Sequence, residues 1–124
     1  MESQVDKEHY YTQEYLNRDR FLALREQLLL CLEMKGESFL EIGPGPNLLT
    51  PLLKQFGKRT TTLDIDNALN PDIVGELFNI PCESNSFDIA CAFQVLEHIP
   101  FEKVTLALLE MKRVSKSKVI FSVP

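Results

Sequence analysis

Glu41, Gly43 and Gly45 stand where an apolar run, Phe39-Leu40-Glu41-Ile42, breaks into the turn Gly43-Pro44-Gly45-Pro46-Asn47. Lacking a Cβ, Gly43 and Gly45 can take positive φ and leave their N–H groups open, which is what a nucleotide-like ligand seated on a strand-to-helix junction requires. Glu41 turns that chemistry away from phosphate, because a carboxylate beside the turn repels an anion and suits a cationic or hydroxyl-rich ligand. Asp64 lies 19 residues past Gly45, at the expected tip of the next strand. A carboxylate there, near the roughly 20-residue spacing of dinucleotide folds, accepts hydrogen bonds from both hydroxyls of a ribose. The third glycine of a dinucleotide fingerprint would fall at Leu48, which argues against a nicotinamide cofactor. His98 is the nearby side chain with an intrinsic pKa suited to a general base, although a cap on the following helix is the simpler role. His9, Tyr10 and Tyr11 would lie over this site if the N-terminal segment folds back; a surface role is the simpler reading.

These residues need particular elements to hold them. Residues 1–15 read as a loose lead-in or short helix. From Leu16 to Lys35, Phe21, Leu24, Leu28, Cys31 and Leu32 recur at helical spacing, with Gly36 as a C′ terminator. Ser38 to Ile42 suits a buried strand. Leu48, Leu49, Leu52, Leu53 and Phe56 form a second helical stripe closed by Gly57, capped by Asn47 or by Thr50 with Pro51 behind it. Lys58 to Leu63 reads as a strand ending at Asp64, Asn67 to Pro71 as a turn-rich connector too short for a crossover helix, and Ile73 to Val74 as a short strand. Pro81 to Ser86 is a loop, Phe87 to Phe93 a strand, Phe101 to Val114 an amphipathic helix and Lys118 to Val123 a last strand. Lys112, Arg113, Lys116 and Lys118 form a basic group that complements a helix C-terminus. The order predicts an α/β domain, a Rossmann-like, mostly parallel sheet of about five strands with flanking helices.

Composition bounds the function. The chain has 124 residues, 44% hydrophobic and 25% charged, which fits one ordinary globular domain: a helical segment over 1–37 and a core over 38–124. A formal net charge of −5 disfavours nucleic acid as a partner, since phosphate contacts need clustered Lys and Arg. The apolar run from Leu28 to Leu32 is too short to span a bilayer, and the first twenty residues are crowded with charge, so the expectation is a cytoplasmic protein with no membrane partner. Cys31, Cys82 and Cys91 are odd in number and sit in apolar sequence, reading as reduced core thiols rather than metal ligands.

At this point the chain resembles the class I S-adenosylmethionine-dependent methyltransferases, whose first motif, acid-x-Gly-x-Gly, stands here as Glu41-Ile42-Gly43-Pro44-Gly45, with Asn47 where many members have a further Gly. Gly75-Glu76-Leu77-Phe78-Asn79-Ile80-Pro81-Cys82-Glu83-Ser84-Asn85-Ser86-Phe87-Asp88 is similar to the family's adenine-reading segment and its lead into strand four, with Glu76 for the usual Asp and Ile80 for Leu. Ala92-Phe93-Gln94-Val95-Leu96-Glu97-His98-Ile99-Pro100 resembles the motif after strand four in the methyltransferase type 11 group, and Glu110-Met111-Lys112-Arg113-Val114 its helix before strand five.

The resemblance implies a methyl transfer from S-adenosylmethionine, leaving S-adenosylhomocysteine, to a small-molecule acceptor. It further implies that Gly43, Pro44, Gly45 and Asn47 line the aminoacyl and ribose side of the cofactor, with Glu41 orienting the turn or reaching the amino group through water. Asp64 would hold the ribose hydroxyls and Ile65 pack on adenine. Glu76 and the Leu77 N–H would read the adenine edge, and Phe93 and Gln94 face the methionine portion. No catalytic residue is required, because a sulfonium is already activated and alignment supplies most of the acceleration. Members of the family usually have two further strands. Their lack here predicts either an excised fragment of a longer protein or a homodimer covering the apolar edge at Val119, Ile120, Phe121 and Val123. A noncatalytic cofactor-binding or interaction module is the alternative, and a nicotinamide-dependent oxidoreductase the weakest.

Overall fold

Alternation along Phe39, Leu40, Glu41 and Ile42 sends successive side chains to opposite sides of a strand, and all four are buried, so this segment must be covered on both faces. The computed structural model describes residues 7–124, without the side chains of Lys7 and His9, and builds that strand into the middle of a sheet. The first six residues of the expected lead-in, and the His9 side chain, lie outside the described residues. A 3-10 turn at Lys7–Tyr11 precedes α1 (Arg18–Glu33), β1 (Ser38–Ile42), α2 (Leu49–Gln55), β2 (Arg59–Asp64), β3 (Ile73–Val74), β4 (Phe87–Phe93), α3 (Val104–Val114) and β5 (Ser115–Ser122). The strands run in the order β3-β2-β1-β4-β5, and every neighbouring pair is parallel.

Each face of the sheet closes over its own core. Leu40 and Ile42 of β1, Leu63 of β2 and Ala90 and Ala92 of β4 pack with Ala107, Met111 and Val114 of α3. On the other side Phe39, Ile89, Cys91 and Ile120 meet Cys31 of α1 and Leu49 and Leu53 of α2. Cys31 and Cys91 are fully buried free thiols within this core. Register at the lower end is fixed reciprocally: the Asp88 carboxylate accepts the Glu37 and Ser38 N–H groups at 2.9 and 3.1 Å, while Ser38 Oγ accepts the Asp88 N–H at 2.8 Å. Those N–H groups hold the Asp88 carboxyl below its usual range.

The link from β2 to β3 is a 3-10 turn at Asn67–Leu69 ending at Asn70 in the left-handed region, φ 54°. A regular crossover helix is replaced there by side-chain bonds, because the Asp72 carboxylate accepts both the N–H and the hydroxyl of Thr62, at 2.9 and 3.2 Å. β5 begins at Ser115, earlier than the expected Lys118, since Ser115 pairs with Phe87 across a register shift.

Three local expectations need correction. α1 ends at Glu33 with Met34 extended, so Gly36 is not its C′ residue. Gly36 has φ +144°, and a Cβ on it would lie 3.0 Å from Ile89 Cδ1, so it serves the close approach of the connector to β4. α2 is capped by neither Asn47 nor a Thr50 side chain; its N-cap is Leu48, with no side-chain bond. Arg113 does more than complement a helix end.

Its guanidinium donates to the Ile80 and Cys82 carbonyls at 2.9 and 2.8 Å and to Glu110 Oε2 at 2.6 Å, while Glu110 Oε1 accepts the Ile80 N–H. The loop before β4, which has few backbone partners of its own, is therefore satisfied by α3. Replacing Arg113 with Met keeps the stem but orphans these carbonyls. The expected outcome is a lower urea midpoint at unchanged m-value.

Candidate functional site

A cleft of about 280 Å³ opens at the carboxyl ends of β1, β2 and β4. This is where an open parallel sheet binds ligands, because the connections on either side of the point where strand order reverses, here between β1 and β4, part to leave a crevice. Glu41, Gly43, Pro44, Gly45, Asp64, Ile65, Phe93, Gln94 and His98 all line it. Asn47, Glu76 and Leu77 do not. Asn47 is exposed with φ 59°, Glu76 bridges to Asn79, and the Leu77 side chain is fully buried in the α3-side core.

The floor is Glu41. Thr50, at the start of α2, donates its hydroxyl to Glu41 Oε1 at 2.7 Å, and its N–H faces the same carboxyl. The acid thus acts as a cap supplied from β1 to a helix whose own N-cap residue offers none. Burial pushes the Glu41 carboxyl up to about 7, and the Thr50 bonds offset only part of that rise.

The turn above it has no room for side chains. Gly43 has φ +66°, and a Cβ there would sit 2.6 Å from Val95 Cγ2, so the glycine is needed both by conformation and by contact with the loop after β4. Gly45 has φ +57°; a Cβ on it would meet Tyr10 Cε1 at 3.3 Å and the Tyr15 hydroxyl at 3.6 Å. Gln94 is also left-handed, φ 56°, an uncommon state for a non-glycine residue. Its N–H is fixed there by the Ser122 carbonyl at 3.2 Å and hydroxyl at 2.9 Å, so the end of β5 holds the cleft wall.

Asp64 is half-buried at the tip of β2 and accepts the Asp66 N–H on Oδ1 at 3.0 Å. Burial raises its carboxyl above the usual range, partly offset by the Asp66 and Ile65 N–H groups. His98 is exposed at the rim and caps no helix, since Pro100 is the N-cap of the turn that follows and makes no side-chain bond. Among the described residues no cluster of His, Cys, Asp and Glu could hold a metal ion, and no helix is long and apolar enough to cross a membrane.

The wall that sequence reasoning missed is N-terminal. Tyr10, given above as a surface residue, lies over Gly45, whereas Tyr11 is exposed. Tyr15 meets the Tyr10 ring edge-on with centroids 5.1 Å apart, and Leu16, Arg20, Ala23, Leu24 and Gln27 line the cleft from one side of α1. Their spacing of four, three, one and three residues is a helical face, and it was the available signal.

Residues 40–123 match the family model described as a methyltransferase domain. No protein of curated function matches the sequence. Among solved structures, a Pyrococcus horikoshii protein superposes with a TM-score of 0.72 at 22% identity, covering 91% of this chain and 60% of that one. A candidate S-adenosyl-L-methionine-dependent methyltransferase of Methanococcus maripaludis gives 0.70 at 19% identity, covering 97% and 65%. An S-adenosylmethionine-dependent methyltransferase of Aquifex aeolicus gives 0.69 at 18%, covering 91% and 69%. At such identities the likeness establishes the fold, and the chain spans about 60 to 65% of the length of the first two.

Glu41 makes stability depend on pH in a defined direction. Its pKa rises from 4.5 to about 7 on folding, so the folded state binds the extra proton between those values and stability falls as pH rises through them. The size is about 3 kcal/mol. Glu41→Gln preserves an acceptor for Thr50 and should flatten most of that slope in urea unfolding from pH 4.5 to 7.5. Asp64, shifted in the same direction, leaves a smaller residual slope. A parent protein with no loss of stability across this range would contradict the assignment.

Proposed function

The chain belongs to the methyltransferase-domain family, and on that premise we propose that it uses S-adenosylmethionine to methylate a small-molecule acceptor. The observation that carries the reading is the pairing of two carboxyls, Glu41 and Asp64, at adjacent strand ends around a turn too crowded for any side chain at Gly43. These residues suit a nucleoside bearing positive charge. Asp64 is the acceptor for ribose hydroxyls, the backbone at Gly43 to Gly45 admits close approach, and Ile65 offers an apolar surface to the base. Phe93 and Gln94 face the methionine portion. Glu76 and the Leu77 N–H, which lie outside the cleft lining, would meet the far edge of adenine.

When bound, the cofactor supplies a methyl group already activated on a sulfonium. The protein's task is then alignment and exclusion of water, which Tyr10 and Tyr15 serve by covering the glycine turn. His98 at the rim is within the lining, where it could orient an acceptor or take its proton.

The residues that carry this reading, Glu41, Gly43 and Asp64, hold the cofactor rather than an acceptor, so a noncatalytic cofactor-binding module is the second reading. Titration calorimetry with S-adenosylhomocysteine tests both. The parent should bind, and Asp64→Ala should weaken binding about 30-fold, the equivalent of roughly 2 kcal/mol of lost charged hydrogen bonds. No binding by the parent overturns the cofactor reading. Binding with no transfer of labelled methyl to a broad acceptor panel moves the protein to the noncatalytic one.

A further inference from the structure

Resting on that cofactor reading, we propose that Arg20 holds the carboxylate of the cofactor's aminoacyl end. Arg20 is the one Lys or Arg among the described residues that line the cleft, whose other formal charges are the carboxyls of Glu41 and Asp64. An aminoacyl group brings an ammonium and a carboxylate together. Two acids alone would attract the first and repel the second, so a cleft of this composition needs a cation at the same end.

Arg20 is at that end. Its Cζ lies 3.9 Å from the centroid of the Tyr15 ring, and the Tyr15 hydroxyl in turn comes within 3.6 Å of the position a Gly45 Cβ would take. The guanidinium is thus carried on the aromatic pair that covers the glycine turn, while Asp64 and Ile65 belong to the tip of the neighbouring strand.

Arg20 is exposed overall, and two further observations bear on its role. Its guanidinium makes no hydrogen bond or ion pair among the described residues, whereas Arg25 on the same helix pairs with Glu26 at 2.7 Å and Arg113 is fully engaged. It also stands in the first turn of α1, behind the Asn17 cap, where a cation opposes the helix dipole. A position that costs the helix something, with five donors in a planar fork left open and stacked on a tyrosine, is suited to bidentate capture of a carboxylate.

The experiment compares two ligands that differ in that group. S-adenosylhomocysteine carries the aminoacyl carboxylate; 5′-methylthioadenosine keeps the nucleoside and sulfur but lacks it. Calorimetric titration of the parent, Arg20→Met and Arg20→Lys should show Arg20→Met binding S-adenosylhomocysteine 10- to 100-fold more weakly and 5′-methylthioadenosine within twofold of the parent. Arg20→Lys, which keeps the charge but not the fork, should fall between. Equal losses for both ligands would make Arg20 a structural support, and unchanged S-adenosylhomocysteine affinity would return the guanidinium to an anionic acceptor; either overturns the proposal. A parent that binds neither ligand fails the cofactor reading itself, and this assignment with it.

Discussion

Burial of the Glu41 carboxyl under the first turn of α2 is the constraint around which the cleft is organised. An unpartnered acid in that position would be expelled or would pull water into the sheet; with the Thr50 hydroxyl and N–H upon it, it stays. That one contact ties the end of β1 to the start of α2 across the glycine turn, so the turn is held at both ends. Because α2 supplies no cap of its own, the tie is also what satisfies the helix. The acid at the cleft floor and the helix above it therefore cannot be altered separately.

The sheet makes this arrangement possible by being covered on both sides. With α3 on one face and α1 and α2 on the other, the central strands β1 and β4 are largely apolar, and their polar groups gather toward the strand ends. Glu41, Asp64 and Gln94 occur at or beside such ends, in β1, β2 and β4. Parallel register then brings them to one edge of the molecule without any long-range loop having to carry them.

The same logic decides what could be read in advance. β1, β3 and β4 have the bounds expected of them, since each is an apolar or β-branched run punctuated by Gly, Pro, Asn or Ser. The fold class and the placing of Glu41, Gly43, Gly45 and Asp64 followed from those strand ends, while Pro44, Ile65, Phe93 and Gln94, given by resemblance, line the same cleft. What local patterning could not reveal were partnerships set by tertiary packing. Thr50 looks like a cap because its neighbours are helical, but its bond goes back to β1. Gly36 looks like a helix stop, but its constraint comes from Ile89. Tyr10, Tyr15 and Arg20 sit in a polar stretch whose return over the cleft depends on how α1 lies on the sheet. Glu76 and Leu77 were placed by resemblance, and the chain there turns the Leu77 side chain into the core.

The N-terminal strap is held less firmly than the sheet it lies over. Between residues 7 and 16 only Tyr10 and Tyr15, of the described side chains, are even partly buried, and they rest on Gly45 rather than in either core. A segment with so little apolar burial belongs to the part of a protein that opens locally long before the sheet does. Lifting those two rings would bare Gly45 while both cores stay closed, so the cover of the glycine turn and the sheet beneath it open on different scales.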